Sequence, residues 1–252
     1  MKIIAGNCIL EDIDTTIKTA EFLRKMSNKY SFELIYKSSW LKDNRSSATN
    51  YTGPDVPDSY SIFKILHSKG FTILTDIHDV WPLTHSIFDD CVDIYQLPAY
   101  LCMQTSLIRA LADTKKPINI KKGQFLHPVD VGHIIGKFQY FGNNNLMITE
   151  RGTCFGYRDL IVDPRSLHIL KQFGYPVFLD VGHSCRKYGI PSNDITHGGD
   201  KGFASTFAKV ATALDCNIFV EVHPEPEKAA CDAATQLSFD EFERMMIDIV
   251  NV

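Results

Sequence analysis

A chain of 252 residues with 44% hydrophobic, 22% charged and 11% aromatic residues can fill one large core and carries none of the bias of a disordered chain. Its formal charge of −4 argues against nucleic acid or a membrane surface as the main partner, while local cationic clusters can still hold small anions. Seven cysteines (Cys8, Cys91, Cys102, Cys154, Cys185, Cys216, Cys231) without a C-x-x-C pair argue against a disulfide framework or a zinc ribbon, and read as reduced thiols of a cytoplasmic protein.

Short β-rich runs alternate with longer helical patterns along the chain. The first run, "KIIAGNCI" (2–9), passes directly into "EDID" and is too short for a secretion signal; no later stretch reaches the roughly 18 apolar residues of a membrane span. An amphipathic segment at 14–28 leads to "FELIYKSS" (32–39). The connection 40–58, the longest in the chain, carries "KDNRSS" and precedes a helical segment at 59–69. Next come "FTILTDIH" (71–78), "CVDIYQLP" (91–98), a helix at 104–113, "PINIKKG" (117–123) and "LMITERG" (146–152). A helix at 165–173, "PVFLDVGHS" (176–184), a helix at 200–214 and "NIFVEVHP" (217–224) complete the series before the last helix, 239–250. Ser238 followed by Glu241 at that helix start is a capping-box pattern. Eight βα rounds with strands buried on both faces predict an α/β fold, a single (β/α)8 TIM barrel over residues 1–252.

Chemistry in such barrels sits where the strands end, and here each run turns polar at its C-terminal end. The candidates are Cys8; Lys37, Ser38 and Ser39; Asp76 and His78; Gln96; Lys121 and Lys122; Glu150 and Arg151; Asp180 and His183; Glu221 and His223. Closure brings the last strand beside the first, so Cys8, His183, Glu221 and Asp232 meet in one sector of the rim. A thiol, an imidazole and two carboxylates suit one divalent ion, Zn, Fe or Mn. Each alone reads equally as a buried small side chain or a satisfied polar group; their convergence makes the case. Lys42, Arg45, Ser46, Lys121 and Arg151 form an anion-binding side, because two lysines ending a buried strand need an anion to offset desolvation. Asp76 with His78, and Glu221 with His223, fit either acid-base or ligand-orienting roles.

In this order the motifs "IAGNCILED", "NRSS", "TDIHD", "QLPAYL", "NIKKGQF", "ERGTCFGY" with "LIVD", and "EVHPEPEKAACDAATQL" run the length of the chain. The chain resembles the 3-deoxy-D-manno-octulosonate 8-phosphate synthases, barrel enzymes that condense phosphoenolpyruvate with arabinose 5-phosphate. The resemblance implies catalytic roles for Lys42, Asn44, Asp76, His183 and Asp232. It implies that Lys42, Lys121 and Arg151, with Ser39, Ala99 and Gln124, hold phosphoenolpyruvate, and that Asn44, Arg45 and Ser46 receive the acceptor's phosphate. It further implies a cytoplasmic homotetramer in lipopolysaccharide biosynthesis. The family divides into a metal-requiring class with Cys and a metal-free class with Asn at the end of the first strand. Cys8, with Asn7 adjoining it, points to the metal-requiring class, with ligands Cys8, His183, Glu221 and Asp232. Three positions depart from the family pattern: Met103 stands for an Arg that reaches the acceptor phosphate from a neighbouring subunit, Gly182 for a Thr, and the loop "CRKYGIPSNDITHGGDKGF" is different. Arg186, Lys187 and Lys201 are the candidates for the missing charge. A different aldose acceptor, or a barrel without activity, is the competing reading.

Overall fold

The β-rich runs pair in parallel and close on themselves. The structure, a computed structural model, describes residues 1–250. Its strands are β1 (Lys2–Gly6), β2 (Glu33–Lys37), β3 (Ile73–Asp76), β4 (Ile94–Leu97), β5 (Ile118–Lys121), β6 (Leu146–Glu150), a short pair β7 (Thr153–Gly156) and β8 (Asp159–Ile161), then β9 (Val177–Asp180) and β10 (Asn217–Glu221). Around the ring the order is β1, β2, β3, β4, β5, β6, β9, β10, and β10 pairs back onto β1. The helices are α1 (Ile13–Tyr30), α2 (Val56–Ser68), α3 (Trp81–Thr84), α4 (Thr105–Asp113), α5 (Val131–Tyr140), α6 (Pro164–Lys171), α7 (Ala204–Ala213) and α8 (Phe239–Val250). This is the expected (β/α)8 barrel. No helix among the described residues is long and apolar enough to cross a membrane.

The helices lay one apolar stripe each on the outside of the barrel, where Leu23, Phe63, Leu107, Phe138, Leu167 and Phe242 are fully buried. Each such side chain contributes about 1.5–3 kcal/mol over leaving it in water. Sequence-local caps set the helix starts: the Asp12 carboxylate accepts from Thr15 N (2.7 Å) at α1, and Asp55 accepts from Asp58 N (2.9 Å) at α2. The capping box forms as written, Glu241 N donating to Ser238 Oγ (3.2 Å) and Ser238 N to Glu241 Oε2 (2.7 Å).

Two features differ from the sequence expectation. The segment after β6 is an antiparallel hairpin, β7 on β8, turned by Tyr157 (φ 44°) and Arg158 (φ 85°). Two successive positive φ values match the right-handed twist of a hairpin, and neither residue advertises them as Asn-Gly does. The third round is also reduced to the four-residue α3, where Pro82 follows Trp81 closely.

Period-two alternation decides what the barrel holds inside. A plug of Ile4, Ile35, Leu74, Ile94, Phe178 and Phe219, with Met147 against it, fills the lower interior, nearly one residue per strand. Two positions further along, the same strands present Gly6, Lys37, Asp76, Gln96, Thr149, Asp180 and Glu221, and β5 presents Asn119 and then Lys121; all the side-chain-bearing members are buried. One step of the pleat therefore replaces hydrocarbon by ionised groups. Gly6 has a steric reason of its own: a Cβ there would lie 2.0 Å from the Lys37 carbonyl oxygen.

Candidate active site

A cavity of about 530 Å3 opens above this polar tier, at the C-terminal ends of the strands. Its lining carries seven cations, Lys37, Lys42, Arg45, Lys121, Arg151, Arg186 and Lys187, against the carboxylates of Asp76 and Asp232. Nine-tenths or more of Lys37, Lys42, Lys121 and Arg151 is buried. Such an excess of desolvated positive charge is a receptor for small polyanions.

Lys37 ties the inner charges together. Its ammonium lies 3.3 Å from Glu221 Oε1 and 3.7 Å from Asp76 Oδ1, and donates to Cys8 O and Ser39 Oγ, both at 2.9 Å. Burial opposes ionisation of Asp76, but Lys37 and His78 outweigh it and hold its carboxyl well below the usual range. Ser39 donates to Asp76 Oδ1 (2.6 Å), so its hydroxyl is used inside the protein and does not line the cavity. Lys37→Met strips two buried carboxylates of their shared cation. We expect it to cost about 3–5 kcal/mol, read as a melting temperature lower by about 10 °C at neutral pH.

Beside this group stand the four residues expected to hold a metal. Cys8 Sγ lies 3.1 Å from Asp232 Oδ2, and His183 Nε2 lies 3.6 Å from the same oxygen and 3.8 Å from Glu221 Oε2. Glu221 Oε2 is buried and has no hydrogen-bond donor. The donors form two close clusters that share Asp232, His183 with Glu221 on one side and Cys8 with Cys231 on the other, and an imidazole nitrogen, thiols and carboxylates are donor types that suit a divalent ion. Lys42 Nζ reaches the same groups, 2.7 Å from Cys8 Sγ and 3.1 Å from Asp232 Oδ2. Burial works against the Lys42 charge, and the surrounding thiols and carboxylates raise it well above the ordinary lysine value. Burial likewise keeps the Cys8 thiol protonated far up the scale.

The two neighbours at the end of the first strand point in opposite directions. Asn7 faces the helix layer, accepting from the Tyr36 hydroxyl and donating to Ile9 O (2.6 Å), while Cys8 faces Asp232. Gln236 fixes this junction: its Oε1 accepts from Cys8 N (3.2 Å) and its Nε2 donates to Cys231 O (2.7 Å). Asp232 sits at φ 50°, a left-handed conformation that aspartate tolerates and that a packed turn must hold. Cys231 adds a second thiol, 3.3 Å from Asp232 Oδ2.

On the opposite wall Lys121 pairs with Asp180, which also accepts from His183 N and lies 2.8 Å from His183 Nδ1. Asp180 thus stands between the cationic wall and the imidazole, whose Nε2 faces Glu221 and Asp232. Burial lowers the Lys121 ammonium against the pull of Asp180. Arg151 lines the cavity without any carboxylate partner among the described residues, and burial lowers it too. Gln124 and Ala99 complete this wall.

The loop after β2 brings Asn44, Arg45 and Ser46 to the mouth. Arg45 donates to Ala230 O (3.2 Å) and to Cys231 Sγ, joining this loop to the one after β10. Of the three spare cations, Arg186 and Lys187 line the cavity; Lys201 does not, its ammonium lying 2.8 Å from Glu241 Oε2 on α8. Met103 is 38% exposed and outside the lining. At Gly182 a Cβ would meet only ordinary contacts, at 3.4 Å from Thr235 O and 3.7 Å from Asp180 Oδ1, so the fold does not require glycine there. Lys37, Asp180 and Gln236 received no role from sequence; the first two stand on the list of strand ends, while Gln236 had no signal.

The DAHP synthetase I family matches residues 1–251. The 2-dehydro-3-deoxyphosphooctonate aldolase of Geotalea daltonii (strain DSM 22248 / JCM 15807 / FRC-32) is 40% identical over 247 residues, 97% of this chain and 89% of the relative. The protein of the same name from Geobacter sp. (strain M21) is 38% identical over 249 residues, 98% of this chain and 89% of its own. That from Legionella pneumophila (strain Corby) is 39% identical over 246 residues, 97% and 88%.

Proposed function

The chain belongs to the DAHP synthetase I family, and we propose that it acts as a 2-dehydro-3-deoxyphosphooctonate aldolase, making 3-deoxy-D-manno-octulosonate 8-phosphate and phosphate from phosphoenolpyruvate, arabinose 5-phosphate and water. The observation that carries this reading is the distribution of cations in one cavity: Lys42, Lys121 and Arg151 are sealed at its floor, and Arg45 and Lys187 stand nearer the mouth. A deep reactant with a phosphate and a carboxylate, followed by one whose phosphate stays outward, matches that division.

In this reading Lys121 and Arg151 take the carboxylate and phosphate of phosphoenolpyruvate, walled by Ala99 and Gln124, and Lys42 faces the same phosphate. Asn44, Arg45 and Ser46 receive the acceptor. C3 of phosphoenolpyruvate forms a bond to the aldehyde carbon, water adds to C2, and the C2–O bond breaks to release phosphate. The three cations stabilise the charge that collects on the departing phosphate. Asp76, held strongly anionic by Lys37, is a poor proton acceptor; its use is to orient water or an acceptor hydroxyl. Ser39 supports Asp76 from behind. Cys8, His183, Glu221 and Asp232 would hold a divalent ion, which makes this a member of the metal-requiring class; when bound, such an ion supplies a Lewis acid for the aldehyde or the water.

The test is phosphate release from phosphoenolpyruvate with a panel of aldoses. Release should require an aldehyde and be fastest with arabinose 5-phosphate. Release without any aldehyde would defeat the condensation, and a faster aldose would rename the product. Met103, an uncharged side chain where the resemblance expects an Arg on the acceptor phosphate, is the observation that keeps another acceptor as the second reading.

A further inference from the structure

The cations around the cavity are not equally engaged. Lys37, Lys42, Lys121 and Arg186 each have a carboxylate within ion-pair distance. Arg186 is held by Asp232 Oδ1 (3.3 Å) and by Ile190 O (3.0 Å), so its guanidinium belongs to the protein's own network. Three lining cations have no such carboxylate among the described residues: Arg45, which donates to Ala230 O and Cys231 Sγ, the buried Arg151, and the half-buried Lys187, whose ammonium has neither a hydrogen-bond acceptor nor a carboxylate within 4.0 Å.

Its backbone, by contrast, is fixed from both sides. Lys187 bridges to Asp159 of β8, its N–H donates to Gly198 O (3.0 Å), and the flanking Arg186 bridges to Gly199 and accepts from Leu160 N (3.2 Å). Tyr188 N donates to Arg158 O in the hairpin turn. The two glycines make this packing feasible: a Cβ on Gly198 would lie 2.6 Å from Pro191 O, and one on Gly199 2.5 Å from Thr235 Cγ2. The β7–β8 hairpin and the Gly198–Gly199 pair thus act as a frame that holds one unpaired lysine at the cavity wall.

We infer that Lys187 is the residue that selects the anionic end of the acceptor, supplied by the same chain whose strand ends carry out the reaction. This rests on the phosphoenolpyruvate-dependent reading above. A flexible loop lysine facing water would need no frame. A lysine with a clamped backbone, facing a cavity and lacking a counter-ion, is completed by an anion that arrives with a ligand. The deeper Lys42 and Lys121, with their carboxylates, and the buried Arg151 are left to phosphoenolpyruvate.

The experiment compares wild type, Lys187→Met and Lys187→Arg with arabinose 5-phosphate and with arabinose, at saturating phosphoenolpyruvate. In Lys187→Met, KM for arabinose 5-phosphate should rise about 10- to 100-fold. Its preference over unphosphorylated arabinose should fall by a similar factor, KM for phosphoenolpyruvate should stay within about two-fold, and Lys187→Arg should recover most of the loss. An unchanged preference, or a change confined to phosphoenolpyruvate, overturns the inference. If wild type turns over no aldose, the underlying reading fails, and titrating arabinose 5-phosphate into the protein decides the subsite alone. A Kd about ten-fold weaker in Lys187→Met sustains it, and equal Kd values overturn it.

Discussion

Lys42→Met is expected to lower kcat about 10³-fold, close to 4 kcal/mol of transition-state stabilisation. The lysine is buried, and its ammonium reaches Cys8 Sγ, Asp232 Oδ2 and, at 3.8 Å, Glu221 Oε1. It therefore stands at the boundary between the groups that would hold a metal and the wall of Lys121 and Arg151. A cation there is worth most when phosphate carries away its extra charge, in surroundings where water screens poorly. Methionine keeps the length and apolar stem and removes only the charge. The measurement is steady-state kinetics on the metal-loaded variant, with circular dichroism to establish folding. A loss in KM alone, with kcat within three-fold, would make Lys42 a binding group without a part in the chemical step.

Thorough chelation is expected to abolish turnover by at least about 10³-fold, with recovery on adding back Zn, Fe or Mn. Cys8→Ser should weaken metal retention and leave the barrel folded, because Gln236 fastens Cys8 through its backbone N–H and not through sulfur. Metal content after dialysis and activity on reloading are the two readouts. Activity that survives with less than a tenth of an equivalent of metal would remove the ion from the reaction. It would leave Lys42, already within contact of Cys8 and Asp232, as the cation that organises that sector.

Much of this was legible in the residues, for identifiable reasons. Strands buried on both faces read as near-continuous Ile, Val, Leu and Phe, and the polar turn at each strand end gave the floor of the site. The sequence favoured Cys8 over the adjoining Asn7, but a one-residue slip exchanges the faces of a strand, and which of the two faces inward is visible only in three dimensions, where Asn7 meets Tyr36 on the helix side and Cys8 meets Asp232. The hairpin was hidden because Tyr157 and Arg158 adopt positive φ without the glycine or asparagine that usually signals it. Helix α5 was weakly marked, with Gly132 and Gly136 inside its ten residues. The role of Lys37 needed three dimensions, since its partners come from β3, which adjoins β2, and from β10, which closure brings within reach across β1.

The ionised tier above the apolar plug also constrains how this barrel could acquire a new acceptor. Lys37 is shared by Asp76 and Glu221, Asp180 by Lys121 and His183, and Asp232 by Lys42 and Arg186. Replacing a shared member, Lys37, Asp180 or Asp232, takes a charge partner from two groups at once, so a mutational path through those positions has to change residues in concert. The loop carrying Lys187 is framed by main-chain bonds, which are indifferent to the side chain at that position. Variation there is separable from the shared chemistry, and the molecule is in effect a fixed reaction floor beneath an exchangeable reading head.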